Sequence, residues 1–113
     1  MQYQESDMRQ MTDKIISEIT KRIRDAVAVE KIILFGSRAW GTPDESSDLD
    51  LFVIVPQSTE PSYRRARPIL RSLRGIGVPI DVVVQTHDEV ERGKRVATSL
   101  VKTVLEKGRV LYG

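Results

Sequence analysis

The chain has 113 residues, 40% of them hydrophobic and 30% charged, with a net charge of +2. That length suits one domain with a single modest core, and the balance is that of a globular rather than a disordered protein. There is no cysteine and only one histidine, His87, which excludes a disulfide scaffold, a thiolate metal site, a Cys nucleophile and a His-rich zinc site.

Residues 1–10 are polar and are expected to form a flexible N-terminal segment of a single domain spanning 1–113. Over residues 11–28, Met11, Ile15, Ile16, Ile19, Ile23 and Val27 recur near helical spacing, with Lys14, Glu18, Lys21, Arg22 and Asp25 on the other face. That pattern predicts an amphipathic helix. "KIILF" at 31–35 is apolar and β-branched, stops at Gly36, and reads as a buried strand. "GSRAWGTPDESSD" has the composition of a loop. "LDLFVIV" is a second strand, closed by Pro56.

After the turn "PQSTEPS" a helical stretch runs to about Arg74, with Pro68 inside it expected to bend it or reset its start. "GIGVP" is a turn and "IDVVV" a third strand. Thr86 or Asp88 then caps a final helix, whose apolar positions are Val90, Val96, Leu100, Val101, Val104 and Leu105. Gly93 is its weak point and Gly108 its stop, and "RVLY" can add a last short strand. The expected architecture is α/β or α+β, a small mixed β-sheet packed with α-helices. No apolar run is long enough to span a bilayer, and the polar start is unlike a signal peptide. A soluble cytoplasmic protein is expected. The modest net charge does not predict direct nucleic-acid binding.

The chemistry gathers at three aspartates. Side chains at i and i+2 of a strand share a face, so Asp48 and Asp50 point to one side while Leu49 and Leu51 turn into the core. Asp81 opens the third strand in the same manner. If the second and third strands are neighbours, three carboxylates meet near one edge and repel each other. A divalent cation resolves that repulsion, and an all-oxygen donor set suits Mg²⁺ or Mn²⁺. At the other end of the loop, Gly36 and Ser37 form a turn able to offer backbone N–H groups and a hydroxyl to an anion, with Arg38 adding charge. Gly36 and Gly41 have the outer spacing of a Walker A loop, but Thr42 and Pro43 replace its Lys and Ser/Thr, so an ordinary P-loop is rejected.

Gly36-Ser37, ten residues, then Asp48-Leu49-Asp50, with Asp81 further on, resembles the GS-x10-D-x-D signature and third carboxylate of the polymerase β-like nucleotidyltransferases. "ILFGSRAWG", "SSDLDLFVIV", "GVPIDVVV" and "SLVKTVLEKGRVLYG" are similar to the small members, the minimal nucleotidyltransferases (MNT). The resemblance covers roughly residues 30–113. It implies the polymerase β-like fold and metal-dependent transfer of a nucleoside monophosphate, AMP from ATP, to a hydroxyl with release of pyrophosphate. It implies that Asp48 and Asp50 hold metal, that Asp81 ligates the catalytic metal and helps deprotonate the acceptor, and that Gly36, Ser37 and Arg38 bind the nucleotide's phosphates.

It further implies a separate helical partner, a HEPN-domain toxin, for which the MNT protein is the antitoxin and whose tyrosine it modifies. A homo- or hetero-oligomer is compatible with this. One departure is Trp40, where the small members often carry a second Arg. Two other functions compete: neutralisation of a partner by binding alone, and nucleotidyl transfer to a small molecule such as an aminoglycoside. Arg64, Arg67, Arg71 and Arg74 recur at helical spacing as a basic stripe, either a solvated face or a contact for RNA, triphosphate or an acidic partner surface.

Overall fold

The computed structural model describes residues 5–36 and 48–113, with side chains from residue 13 onward. Helix α1 runs Glu5–Ala26. It starts before the apolar periodicity does, because Glu, Met, Arg and Gln are good helix formers that extend a helix without needing a core-facing stripe. Ile16, Ile19 and Ile23 are buried, with Ile15 and Val27 packed beside them.

Strands β1 (Lys31–Phe35) and β2 (Leu49–Val55) have the bounds that their apolar runs predict. Helix α2 follows at Ser62–Ser72, with Pro68 inside it and Pro61 at its N-cap. Strand β3 spans Ile80–Thr86. The sheet order is β3-β2-β1, with β4 (Arg109–Tyr112) beyond β1. β1 pairs antiparallel with β2 and with β4, whereas β2 and β3 are parallel. The α2 crossover is what permits that parallel pair.

β2 is central, and its two faces carry different duties. Leu49, Leu51, Val53 and Val55 face α1 and α2, meeting Ile19, Ile23 and Ile69. Phe52 and Ile54 face the opposite way, onto Ile33, Val90, Val101 and Val104. Arg22 fastens the first layer. It donates to the backbone oxygens of Ser72 and Arg74 and so serves carbonyls at the end of α2 that lack helical partners.

The expected single final helix is two. Helix α3 is His87–Gly93 and helix α4 is Leu100–Lys107. They are packed so closely that a Cβ on Gly93 would lie 2.7 Å from Val101 Cγ2. The Ser99 hydroxyl closes the connection by donating to the Gly93 carbonyl at 2.7 Å while accepting from the Lys102 N–H. Val96, expected on the apolar face, lies in this connection and is exposed.

Thr86 caps α3 in a reciprocal capping box with Glu89. Glu89 also pairs with Arg65 of α2, so one carboxylate ties the helix start to the neighbouring layer. The Thr86 N–H holds the Glu89 pKa below its ordinary value, Arg65 adds to this, and burial opposes it. A carboxylate with a lowered folded pKa contributes stability above its unfolded pKa, and loses it as pH falls through the folded value. Glu89→Gln is therefore expected to destabilise the fold at pH 7, with the effect fading as pH falls through the folded value of Glu89, read as denaturation midpoints across an acid pH series. Thr86→Ala removes the cap and is expected to cost about 1 kcal/mol.

Candidate active site

Asp48 and Asp50 stand at the entrance of β2, and Asp81 stands near the entrance of β3. The parallel register pairs Asp50 directly with Asp81 and Leu49 with Ile80. A hydrogen bond from the Leu49 N–H to the Pro79 carbonyl, 3.0 Å, joins the two strands at this end. Asp50 and Asp81 thus share the sheet face that carries Phe52 and Val83 further along. Near Phe52 that face is covered and dry; at Asp50 it is half-buried, and at Asp48 and Asp81 it is exposed.

The electrostatics follow from this placement. Burial raises the pKa of Asp50 above its ordinary value, and the negative charges of Asp81 and Asp48 raise it further. Both neighbours therefore act on the one carboxylate that is least hydrated. A raised folded pKa means that ionised Asp50 opposes folding above its unfolded pKa; protonation relieves the penalty as pH falls. Asp50→Asn is accordingly expected to raise the melting temperature at pH 7, with the gain vanishing at a pH where Asp50 is protonated in both states.

Gly36 completes the site from β1. Antiparallel pairing sets Phe35 opposite Asp50, so the chain leaves β1 beside that carboxylate. Gly36 has φ +80°, and a Cβ there would lie 2.1 Å from Asp50 Oδ2. Both the backbone conformation and the missing side chain are required. Beside the phosphate binding expected of Gly36, its close approach to Asp50 is a further duty, signalled by a glycine placed at the end of an apolar strand. Ser37, Arg38 and Trp40 lie outside the described residues.

Among the described residues no group of three or more His, Cys, Asp or Glu side chains is drawn together as a ready-made metal site. The chemistry of the donors nevertheless fits a hard divalent cation: oxygen ligands only, with one carboxylate destabilised by the charge of two others. His87, at the start of α3, is exposed and bonds Glu30 at 3.0 Å, away from these carboxylates in the register. A depression of about 650 Å³ lies elsewhere, at the far end of β2 beside Val55 and α2.

A family profile described as a nucleotidyltransferase domain matches residues 15–111. The chain belongs to the nucleotidyltransferase domain family. The match bears out the family reached from the glycine-serine and aspartate spacing, and the four-stranded mixed sheet packed with helices agrees with the expected fold class. A protein of Methanocaldococcus jannaschii named "Putative protein adenylyltransferase" is 30% identical to this nucleotidyltransferase domain over 102 residues, covering 88% of this chain and 97% of the relative.

Among solved structures, a toxin–antitoxin with AMP-PNP superposes with a TM-score of 0.65 at 24% identity, over 87% of this chain and 73% of that one. A tri-AMPylated Shewanella oneidensis HEPN toxin in complex with MNT antitoxin gives a TM-score of 0.60 at 20% identity, over 89% and 71% of the two chains. At these identities the superpositions establish the fold. Among the described residues no helix is long and apolar enough to cross a membrane.

Proposed function

We propose that this nucleotidyltransferase, acting as one domain over residues 1–113 in the cytoplasm, transfers AMP from ATP to a tyrosine hydroxyl of a HEPN toxin and thereby serves as its antitoxin. The observation that carries the catalytic part is the register pairing of Asp50 with Asp81, closed from the third side by a glycine that leaves room for the Asp50 carboxylate. The adenylyltransferase name of the relative and the AMPylated HEPN toxin bound to MNT antitoxin in the structural neighbour support the choice of donor and acceptor.

Asp48, Asp50 and Asp81 would hold magnesium or manganese, which when bound neutralises phosphate charge and sharpens the attacking oxygen. The remaining work falls to the chain. Asp81 is exposed beside Asp50, where it can take the proton of the acceptor hydroxyl. The acceptor oxygen forms a bond to the α-phosphorus as the bond from that phosphorus to its bridging oxygen breaks, and pyrophosphate leaves. Gly36, Ser37 and Arg38 receive the leaving phosphates. The rigid pairing of β1, β2 and β3 supplies positioning, which accounts for much of the catalysis in such transfers.

The test is incubation with labelled ATP, Mg²⁺ and a purified HEPN protein, followed by mass spectrometry of the protein product. An added AMP on tyrosine supports the proposal. Neutralisation of the toxin without any added mass, retained in a variant with Asn at all three aspartate positions, would identify a binding antitoxin instead.

A further inference from the structure

The far side of α2 carries a feature that nucleotidyl transfer leaves unused. Arg64, Arg67, Arg71 and Arg74 are all exposed, and none has an ion pair among the described residues. The spacing of Arg64, Arg67 and Arg71 sets them along one face of the helix, and Arg74 follows in the turn just past its end. α2 itself contains no acidic residue. Arg65, by contrast, is already committed: its Nε donates to the Glu60 carbonyl and its other end pairs with Glu89.

The stripe borders two depressions that share Arg67. The first, about 650 Å³, has an apolar floor that includes Val27, Val55, Pro68 and Ile69. The second, about 240 Å³, holds Leu70 between arginines, and Leu70 is 43% exposed. The first lies within the size range of ligand pockets. Glu60 also lines the first depression, so the positive excess comes from Arg64 and Arg67 there and from Arg71 and Arg74 at the second. Apolar surface rimmed by a net positive charge is the composition of an interaction site.

We propose that this face of α2 docks an acidic, apolar-anchored helical segment of a partner protein. The arginines meet carboxylates, and the groove beside Val55 and Ile69 receives a leucine-like side chain. The apolar floor decides between polymers. A nucleic acid is held by phosphate contacts and base stacking, and it has no aliphatic side chain to fill such a groove. The groove lies at the exit of β2 and the carboxylates at its entrance, about 17 Å apart by strand rise. A docked segment therefore leaves Asp50 and Asp81 open to another part of the same partner. Docking on α2 does not rest on the transferase reading, because it is measured without nucleotide.

The probe is a synthetic amphipathic helix with a leucine stripe flanked by glutamates, compared with a glutamine-flanked copy and a single-stranded RNA oligomer. Binding is read by amide chemical-shift changes and by fluorescence anisotropy. The glutamate helix is expected to shift Val55, Ile69 and α2 resonances, and to bind roughly tenfold more tightly than the glutamine copy. The double variant Arg67→Glu, Arg71→Glu is expected to weaken it at least about tenfold, with an unchanged melting curve because both side chains are exposed. Tighter binding of the RNA, shifts centred away from α2, or equal binding by the double variant would each overturn the proposal.

Discussion

An Asp50→Asn variant is expected to lose nucleotidyl transfer by at least about a thousandfold while folding more stably than the parent protein. The two effects have one cause. Asp50 is the least hydrated of three neighbouring carboxylates, and its charge is raised in energy by burial and by Asp81 and Asp48. The amide keeps the shape and the backbone pairing with Phe35 and Asp81 but removes the charge. Relief of repulsion stabilises the sheet; under the proposed mechanism the same change removes an anionic ligand for the metal. Asp48→Asn and Asp81→Asn are expected to lose activity comparably.

Single-turnover transfer of labelled AMP, measured beside a thermal melt at pH 7, separates the two readouts. Full activity in the Asp48 and Asp50 variants would remove these residues from the site. A lower melting temperature for Asp50→Asn would show that its carboxylate is a structural partner rather than a strained one.

Gly36→Ala is expected to lower transfer about a hundredfold without touching any acidic group. An L-residue at φ +80° costs about 1–2 kcal/mol, and here the new methyl group also falls on the Asp50 carboxylate. Either Asp50 rotates away from Asp81 or the end of β1 moves. Gly75 separates strain from collision, because it has φ +81° and open space around a built Cβ. Gly75→Ala should therefore show the stability loss of strain alone, smaller than that of Gly36→Ala, with transfer retained. Equal losses of activity in both variants would mean that backbone strain alone, and not contact with Asp50, accounts for Gly36.

Much of this site is legible along the chain. "KIILF" and "LDLFVIV" are bounded by glycine and proline, and their apolar content leaves few alternatives to buried strands, so their limits agree with the structure. The alternation within β2 correctly separates Asp50 from Leu49 and Leu51, since pleating sends adjacent side chains to opposite faces. The last third is less legible. Val90 through Leu105 read as one helix because local periodicity continues across Gly93. The separation into α3 and α4 depends on Val101 packing against Gly93 and on the Ser99 hydroxyl bond, both tertiary contacts. The early start of α1 was similarly hidden, since its first turns carry no apolar stripe.

The order of residues by itself determined the family, the all-oxygen chemistry of the three carboxylates and their places at the starts of β2 and β3, because these depend on residue type and short-range spacing. The tertiary structure decided which strands are neighbours, in what direction and at what register. Asp50 and Asp81 are 31 positions apart in the chain. They meet only because α2 returns β3 parallel to β2, and Gly36 joins them only because β1 runs antiparallel beside it. Those pairings are set by burial of both faces of β2 between α1 and α2 on one side and α3 and α4 on the other. No local pattern encodes that enclosure, which arises when the separate apolar surfaces of the chain are removed from water together.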